Sequence, residues 1–127
     1  MFIYCNVEKL GNKINDCVIR AITLGMGIPY ENVVHYLYMN GLENGCDSLN
    51  IDCYSKLFSR KFKLKRHHCK NTTVQKLCER YPDSVLIIRC PNHLTLSMFG
   101  NVFDTFDCTE YKATDYWLLR HSNRLYI

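Results

Sequence analysis

The segment Ser84-Val85-Leu86-Ile87-Ile88-Arg89-Cys90 constrains the fold more than any other. It is a nearly continuous apolar run of strand length, with no polar face to turn to water, and so predicts a central strand covered on both sides. Such a strand needs partners, and the sequence supplies them directly downstream. Residues His93 to Phe99 and Val102 to Phe106 form two more strand-like runs, joined by Gly100-Asn101, which predicts a tight two-residue turn. A last strand is expected over Tyr116 to Leu119, and the alternation Phe62-Lys63-Leu64-Lys65 predicts a further half-buried one.

The first half has a different period. After an extended segment at Phe2 to Val7, Asn15-Asp16 offers a capping residue, and Cys17 to Leu24 has helical apolar spacing until Gly25 and Gly27 stop it. Pro29 opens a second helix, Tyr30 to Met39, with Val33, Val34, Tyr36 and Leu37 as its buried stripe; Gly41 to Asp47 reads as a loop, and a third helix covers Leu49 to Phe58. Asn71-Thr72-Thr73 caps a fourth helix ending near Tyr81, which explains this triplet better than glycosylation does. The layout is α+β: a helical first half packed on a mostly antiparallel sheet. With 127 residues and no linker-like stretch, residues 1–127 are expected to form one domain.

Eight cysteines stand at 5, 17, 46, 53, 69, 78, 90 and 108, without a C-x-x-C pair, and most read as buried thiols, with Cys53 and Cys78 inside helices and Cys90 ending a strand. Reducing surroundings fit that usage. The opening MFIYCNVEKLGNK lacks the features of a secretory signal, and no stretch approaches the ~20 apolar residues that cross a bilayer. The expectation is a cytoplasmic protein, in the host cytoplasm if viral, with no membrane partner.

Seven of the basic residues, Lys56, Arg60, Lys61, Lys63, Lys65, Arg66 and Lys70, lie in one stretch of a chain of net charge +4. Either the stretch meets nucleic acid or an acidic partner, or it is a solvated edge, which is the commoner fate of charge runs. Tyr54, Phe58 and Phe62 interleave with it at spacings that suit burial as well as base stacking.

One cysteine is placed differently. Cys17 opens a helix, where unpaired N–H groups and the positive end of the dipole favour a thiolate and offer donors to an oxyanion. A nucleophilic thiol also needs an imidazole, held by a third group. His93, after Pro91-Asn92 at a strand start, suits the role better than His35 inside a helix, His67 and His68 in the basic stretch, or His121 in the polar tail. With a turn at Gly100-Asn101, Asp107 falls opposite Leu94 and Asp104 opposite Ser97; Asp107 is nearer along the strand, Asp104 shares the face of His93, and the choice stays open. Arg20 is expected to brace the helix against an acid such as Asp107 or Glu110. His68-Cys69 supplies too few ligands for a metal, and neither metal nor cofactor is expected.

The segments Asn15-Asp16-Cys17-Val18-Ile19-Arg20-Ala21-Ile22, Thr73-Val74, Ser84 to Arg89, Asn92-His93, Phe99-Gly100, Phe103-Asp104-Thr105-Phe106-Asp107 and Tyr116-Trp117 occur in an order that resembles a group of small bacterial and phage proteins with a papain-like fold. The likeness spans about residues 13 to 119. It implies a Cys-His-Asp triad of Cys17, His93 and an aspartate of the 104–107 segment. The Asp-Cys helix start is also similar to that of double-glycine leader peptidases, which carry a Gln six residues before the Cys as an oxyanion donor; Gly11 stands there in this chain, with Asn12, Asn15 and Asp16 the nearest polar candidates for oxyanion or substrate contact. The expected function is a cysteine hydrolase cleaving an amide, peptide or isopeptide bond of a peptide or protein substrate. A silent binding module docking protein or nucleic acid through residues 56–70, and an acyltransferase using the same Cys-His site, are the alternatives.

Overall fold

The structure is a computed structural model that describes residues 1–6 and 16–121. It is a mixed α+β arrangement of four helices and one six-stranded sheet. The strands are β1 (Phe2–Tyr4), β2 (Arg66–His68), β3 (Ser84–Cys90), β4 (His93–Met98), β5 (Asn101–Asp104) and β6 (Asp115–His121), and the helices α1 (Cys17–Met26), α2 (Tyr30–Asn44), α3 (Ile51–Arg60) and α4 (Val74–Arg80). The sheet order is β1-β5-β4-β3-β6-β2, antiparallel except for the β1–β5 pair.

Strand β3 is the interior strand its composition requires, because it is coated on both faces. Val85 and Ile87 join Val18, Ile22, Leu37 and Phe58 in a core under α1 to α3, while Leu86, Ile88 and Cys90 join Val74, Leu77 and Cys78 of α4 on the opposite face. Helix α4 is capped as expected, the Thr73 hydroxyl accepting the Lys76 N–H at 3.2 Å. Trp117 of β6 is fully buried, its ring edge-on to Phe58 with centroids 5.0 Å apart.

Several expectations are corrected. Gly25 does not stop α1; it lies inside the helix, where a Cβ would come within 2.8 Å of Leu96 Cδ1 and 2.9 Å of Leu119 Cδ2, so its function is close approach of helix to sheet. Gly27, at φ 67°, is the residue that ends α1. Helix α2 runs on past Asn40-Gly41, because the buried Asn40 amide donates to Cys53 O at 2.9 Å, and it stops at Gly45 instead. The alternating 62–65 stretch is not a strand: Lys63 is left-handed at φ 56°, Phe62 and Leu64 pack on the core, and pairing to β6 starts at Arg66. Cys53 is not a free thiol but is bonded to Cys46, seven residues back, tying the start of α3 to the end of the α2 connection; the other six cysteines are free. The aromatics of the basic stretch are core residues, Tyr54 and Phe58 buried and Phe62 half-buried, which removes them as a base-stacking platform. Among the described residues no helix is long and apolar enough to cross a membrane.

The Gly25 contact sets a prediction. Gly25→Ala gains about 1 kcal/mol of helix propensity, but forcing a methyl into a filled space costs about 1–3 kcal/mol. The net expectation is a loss of roughly 1 kcal/mol, read as a lower midpoint in urea unfolding; an unchanged or higher midpoint would show that the leucines yield freely.

Candidate active site

Three elements end at one place. Helix α1 begins with Cys17, β4 begins with His93 and β5 ends with Asp104. Alternation puts His93 and Asp104 on the α4 side of the sheet, whereas α1 lies on the other side. The thiol and the imidazole meet because each stands at the terminus of its element, where the sheet no longer separates the two faces.

The hairpin decides which aspartate is used. Its turn is Phe99-Gly100, with φ 50° and 85°, and not Gly100-Asn101. Positive φ at both central positions is what a two-residue turn of the favoured twist requires. The resulting register pairs Ser97 with Val102 and Leu96 with Phe103, which sets Asp104 level with Thr95 and diagonal to His93 on the same face. Asp104 Oδ2 lies 2.7 Å from His93 Nε2. Asp107 falls beyond the strand, fully exposed, and its Oδ1 accepts from the Thr109 N–H at 2.9 Å and hydroxyl at 2.6 Å, a local turn cap remote in role from the imidazole.

Asp104 is 5% exposed and well satisfied. Its Oδ1 accepts the Thr105 N–H at 2.7 Å, its Oδ2 also receives the Cys108 thiol at 3.6 Å, and Arg20 Nη2 stands 3.9 Å from Oδ1. Burial works against its charge, yet the bond from His93 and the backbone N–H outweigh it and hold the carboxyl below its usual range. Arg20 is braced by Asp16 and Asp104, not by Asp107 or Glu110. Asp16 is 3% exposed, bonded to Arg20 and to the Tyr30 hydroxyl at 3.0 Å, and makes no side-chain cap to α1. An acceptor-only carboxylate so engaged cannot donate to an oxyanion; it anchors α1 and thereby Cys17. Asn12 and Asn15, with Gly11, lie outside the described residues.

The electrostatics of the pair are opposed to burial on both sides. Burial pushes the Cys17 thiol up, but the hydrogen bond from His93, the Leu94 backbone bond and the imidazolium charge overcome it, and the thiol sits below its ordinary value. Burial pulls His93 down, but its bonds to Asp104, Cys108 and Cys17 raise it to about 11. With Nε2 committed to Asp104, Nδ1 is the ring nitrogen left for the thiol. The two shifts act in the same sense, each favouring a thiolate facing an imidazolium. The first backbone bond of α1 runs from Arg20 N to Asp16 O at 2.9 Å, so the N–H groups of Cys17, Val18 and Ile19 precede the helix's own acceptors and suit a developing oxyanion.

No family model matches the sequence, and no curated protein or solved structure is significantly similar to it. The chemistry therefore has to be read from the site itself.

Donor atoms of His93, Asp104 and Cys108 lie within 4.8 Å of one another, a set that a cation could use. The 2.7 Å between His93 Nε2 and Asp104 Oδ2 is a hydrogen-bond separation, shorter than the roughly 3.3 Å that two ligands keep around tetrahedral zinc, so the set fits a proton better than a metal. A cleft of about 500 Å³ opens onto Cys17 and His93, with Val18, Leu49, Ile51, Tyr54 and Arg89 among its walls. Sequence reasoning missed Cys108, which follows β5 in an irregular segment with no periodic signal. It also passed over Arg89, which had one: it is the single charge in an otherwise apolar central strand.

Proposed function

We propose that the chain is a cysteine hydrolase of papain-like fold that cleaves an amide, peptide or isopeptide bond through an acyl-enzyme on Cys17. The observation that carries this reading is the convergence of Cys17 and His93 on one cleft, with His93 Nε2 bonded to the buried Asp104 at 2.7 Å. Cys17 Sγ attacks the carbonyl carbon; the carbonyl oxygen, now negative, is met by N–H groups at the start of α1. His93 gives its proton to the leaving amine as the C–N bond breaks, then takes one from the water that attacks the thioester, and the acid and the thiolate are regenerated. Asp104 holds the ring in the tautomer that aims Nδ1 at sulfur and offsets the imidazolium charge. The order of helix-start cysteine, then histidine and aspartate on adjacent antiparallel strands, supports the papain-like assignment.

The test is labelling by a thiol-directed acyl probe. Wild-type protein is expected to form a single adduct that maps to Cys17, and Cys17→Ala to lose it. Equal labelling of the variant would place the reactive thiol elsewhere and refute the assignment.

A further inference from the structure

The cleft wall holds a charge that the proposed reaction does not use. Arg89, on β3, lines the same cleft as Cys17 and His93. Its Nη1 donates to two side-chain oxygens, Thr114 Oγ1 at 3.1 Å and Asp115 Oδ1 at a longer 3.4 Å. Asp115 is shared. Its Oδ2 already receives Arg66 Nε at 2.8 Å and His68 Nδ1 at 3.0 Å, and it is 2% exposed. Two guanidinium groups and an imidazole thus converge on one carboxylate, and among the described residues Asp115 is the carboxylate within ion-pair distance of Arg89. Positive charge is left over at this end of the cleft.

The neighbours do not cancel it. The buried Tyr54 lines the same cleft as Arg89 and adds a polar hydroxyl-bearing side chain to that wall. The cleft's acid, Asp47, belongs to the α2–α3 connection, is exposed, and spends its Oδ1 on the Leu49 N–H at 3.1 Å. Beyond Arg66 the adjoining surface is lined by Lys56, Arg60 and Lys65. A guanidinium whose ties to Thr114 and Asp115 both use Nη1, on the wall of a cleft that Tyr54 also lines, has the donor fork that suits a planar anion.

We infer that Arg89 and Tyr54 form an anion subsite beside the reactive thiol, which receives a carboxylate of the substrate. The inference rests on the reading of Cys17 as nucleophile and adds the substrate class: an acidic peptide, its carboxylate supplied by a Glu or Asp side chain or by a free C-terminus. Arg89 here is a specificity residue; it takes no part in bond making.

The experiment uses the full chain and two matched probe pairs. Peptidyl vinyl sulfones carrying Glu or Gln beside the electrophile test a side-chain carboxylate, and N-acryloyl dipeptides with a free or an amidated C-terminus test a terminal one. The readout is the second-order rate of adduct formation on Cys17, followed by intact mass. In at least one pair the carboxylate probe is expected to react about tenfold faster, the size of a charge-assisted hydrogen bond, and that pair identifies the source. The advantage shrinks in high salt and disappears in Arg89→Gln, while Arg89→Lys keeps part of it. Equal rates within both pairs for the wild-type protein, or faster reaction of the neutral members, overturn the subsite and leave the nucleophile standing. No adduct on Cys17 with any probe overturns both.

Discussion

His93→Ala is expected to slow acylation of Cys17 by about 10²- to 10⁴-fold and to move the pH at which Cys17 becomes reactive upward. Two effects add. In the proposed reaction the variant loses the group that protonates the leaving amine, and the sulfur loses the imidazolium that favours its thiolate. In the intact site burial raises the thiol while the His93 bond and charge lower it further than burial raises it. Without the ring, burial and the Asp104 charge are opposed only by the Leu94 backbone bond, so the thiol's titration moves upward. The measurement is the rate of carboxamidomethylation of Cys17 against pH. Wild-type Cys17 is expected to become reactive below the pH at which an ordinary thiol ionises, while His93 stays protonated until about 11. An unchanged acid limb in His93→Ala would show that the helix start alone activates the sulfur. Linkage adds a stability signature. His93, raised on folding, contributes stability that is fully present below its unfolded value and is lost as pH climbs through about 11. Asp104, lowered on folding, contributes above its unfolded value and loses this as acid protonates it.

The second large effect concerns stability. Trp117→Ala is expected to cost about 3–5 kcal/mol, a large share of the roughly 5–15 kcal/mol that holds a domain of this kind together. Trp117 is fully buried, edge-on to Phe58 and 6.2 Å from the Tyr54 ring, so its removal leaves a void between β6 and α3 that neither rigid element can close. Because Tyr54 also walls the cleft, the damage is expected to extend to the cleft. Urea unfolding followed by tyrosine fluorescence reads the change; a shift below about 1 kcal/mol would mean that the aromatic cluster repacks.

What the chain discloses by itself divides along physical lines. Features set by local chemistry were legible: the two-sided burial of β3, the Thr73 cap, the helix opened by Cys17, and the α+β layering. Features set by long-range geometry were not. One aspartate ends β5 and the other lies just beyond it, and choosing between them depends on whether Phe99 accepts a left-handed φ, a cost for a non-glycine residue that only its surroundings make acceptable. The Phe62–Lys65 alternation imitates a strand because a loop that plugs the core also alternates its burial. Cys53 reads as a small apolar helix residue, and nothing local indicates that Cys46 folds back to within 5.7 Å between Cα atoms. Asp16 looks like a cap by position, yet Arg20 and Tyr30 compete for its carboxylate and win it.

Strand β1 carries a consequence for how the protein matures. Phe2 pairs with Val102 and Tyr4 with Asp104, and the Cys5 N–H donates to the Asp104 carbonyl at 2.8 Å. Residues Phe2 to Tyr4 must wait for a strand far downstream in the chain, a closure of long sequence separation that comes late in folding. The backbone clamp on Asp104 therefore closes late, after the local hairpin that sets Asp104 beside His93 can already have formed.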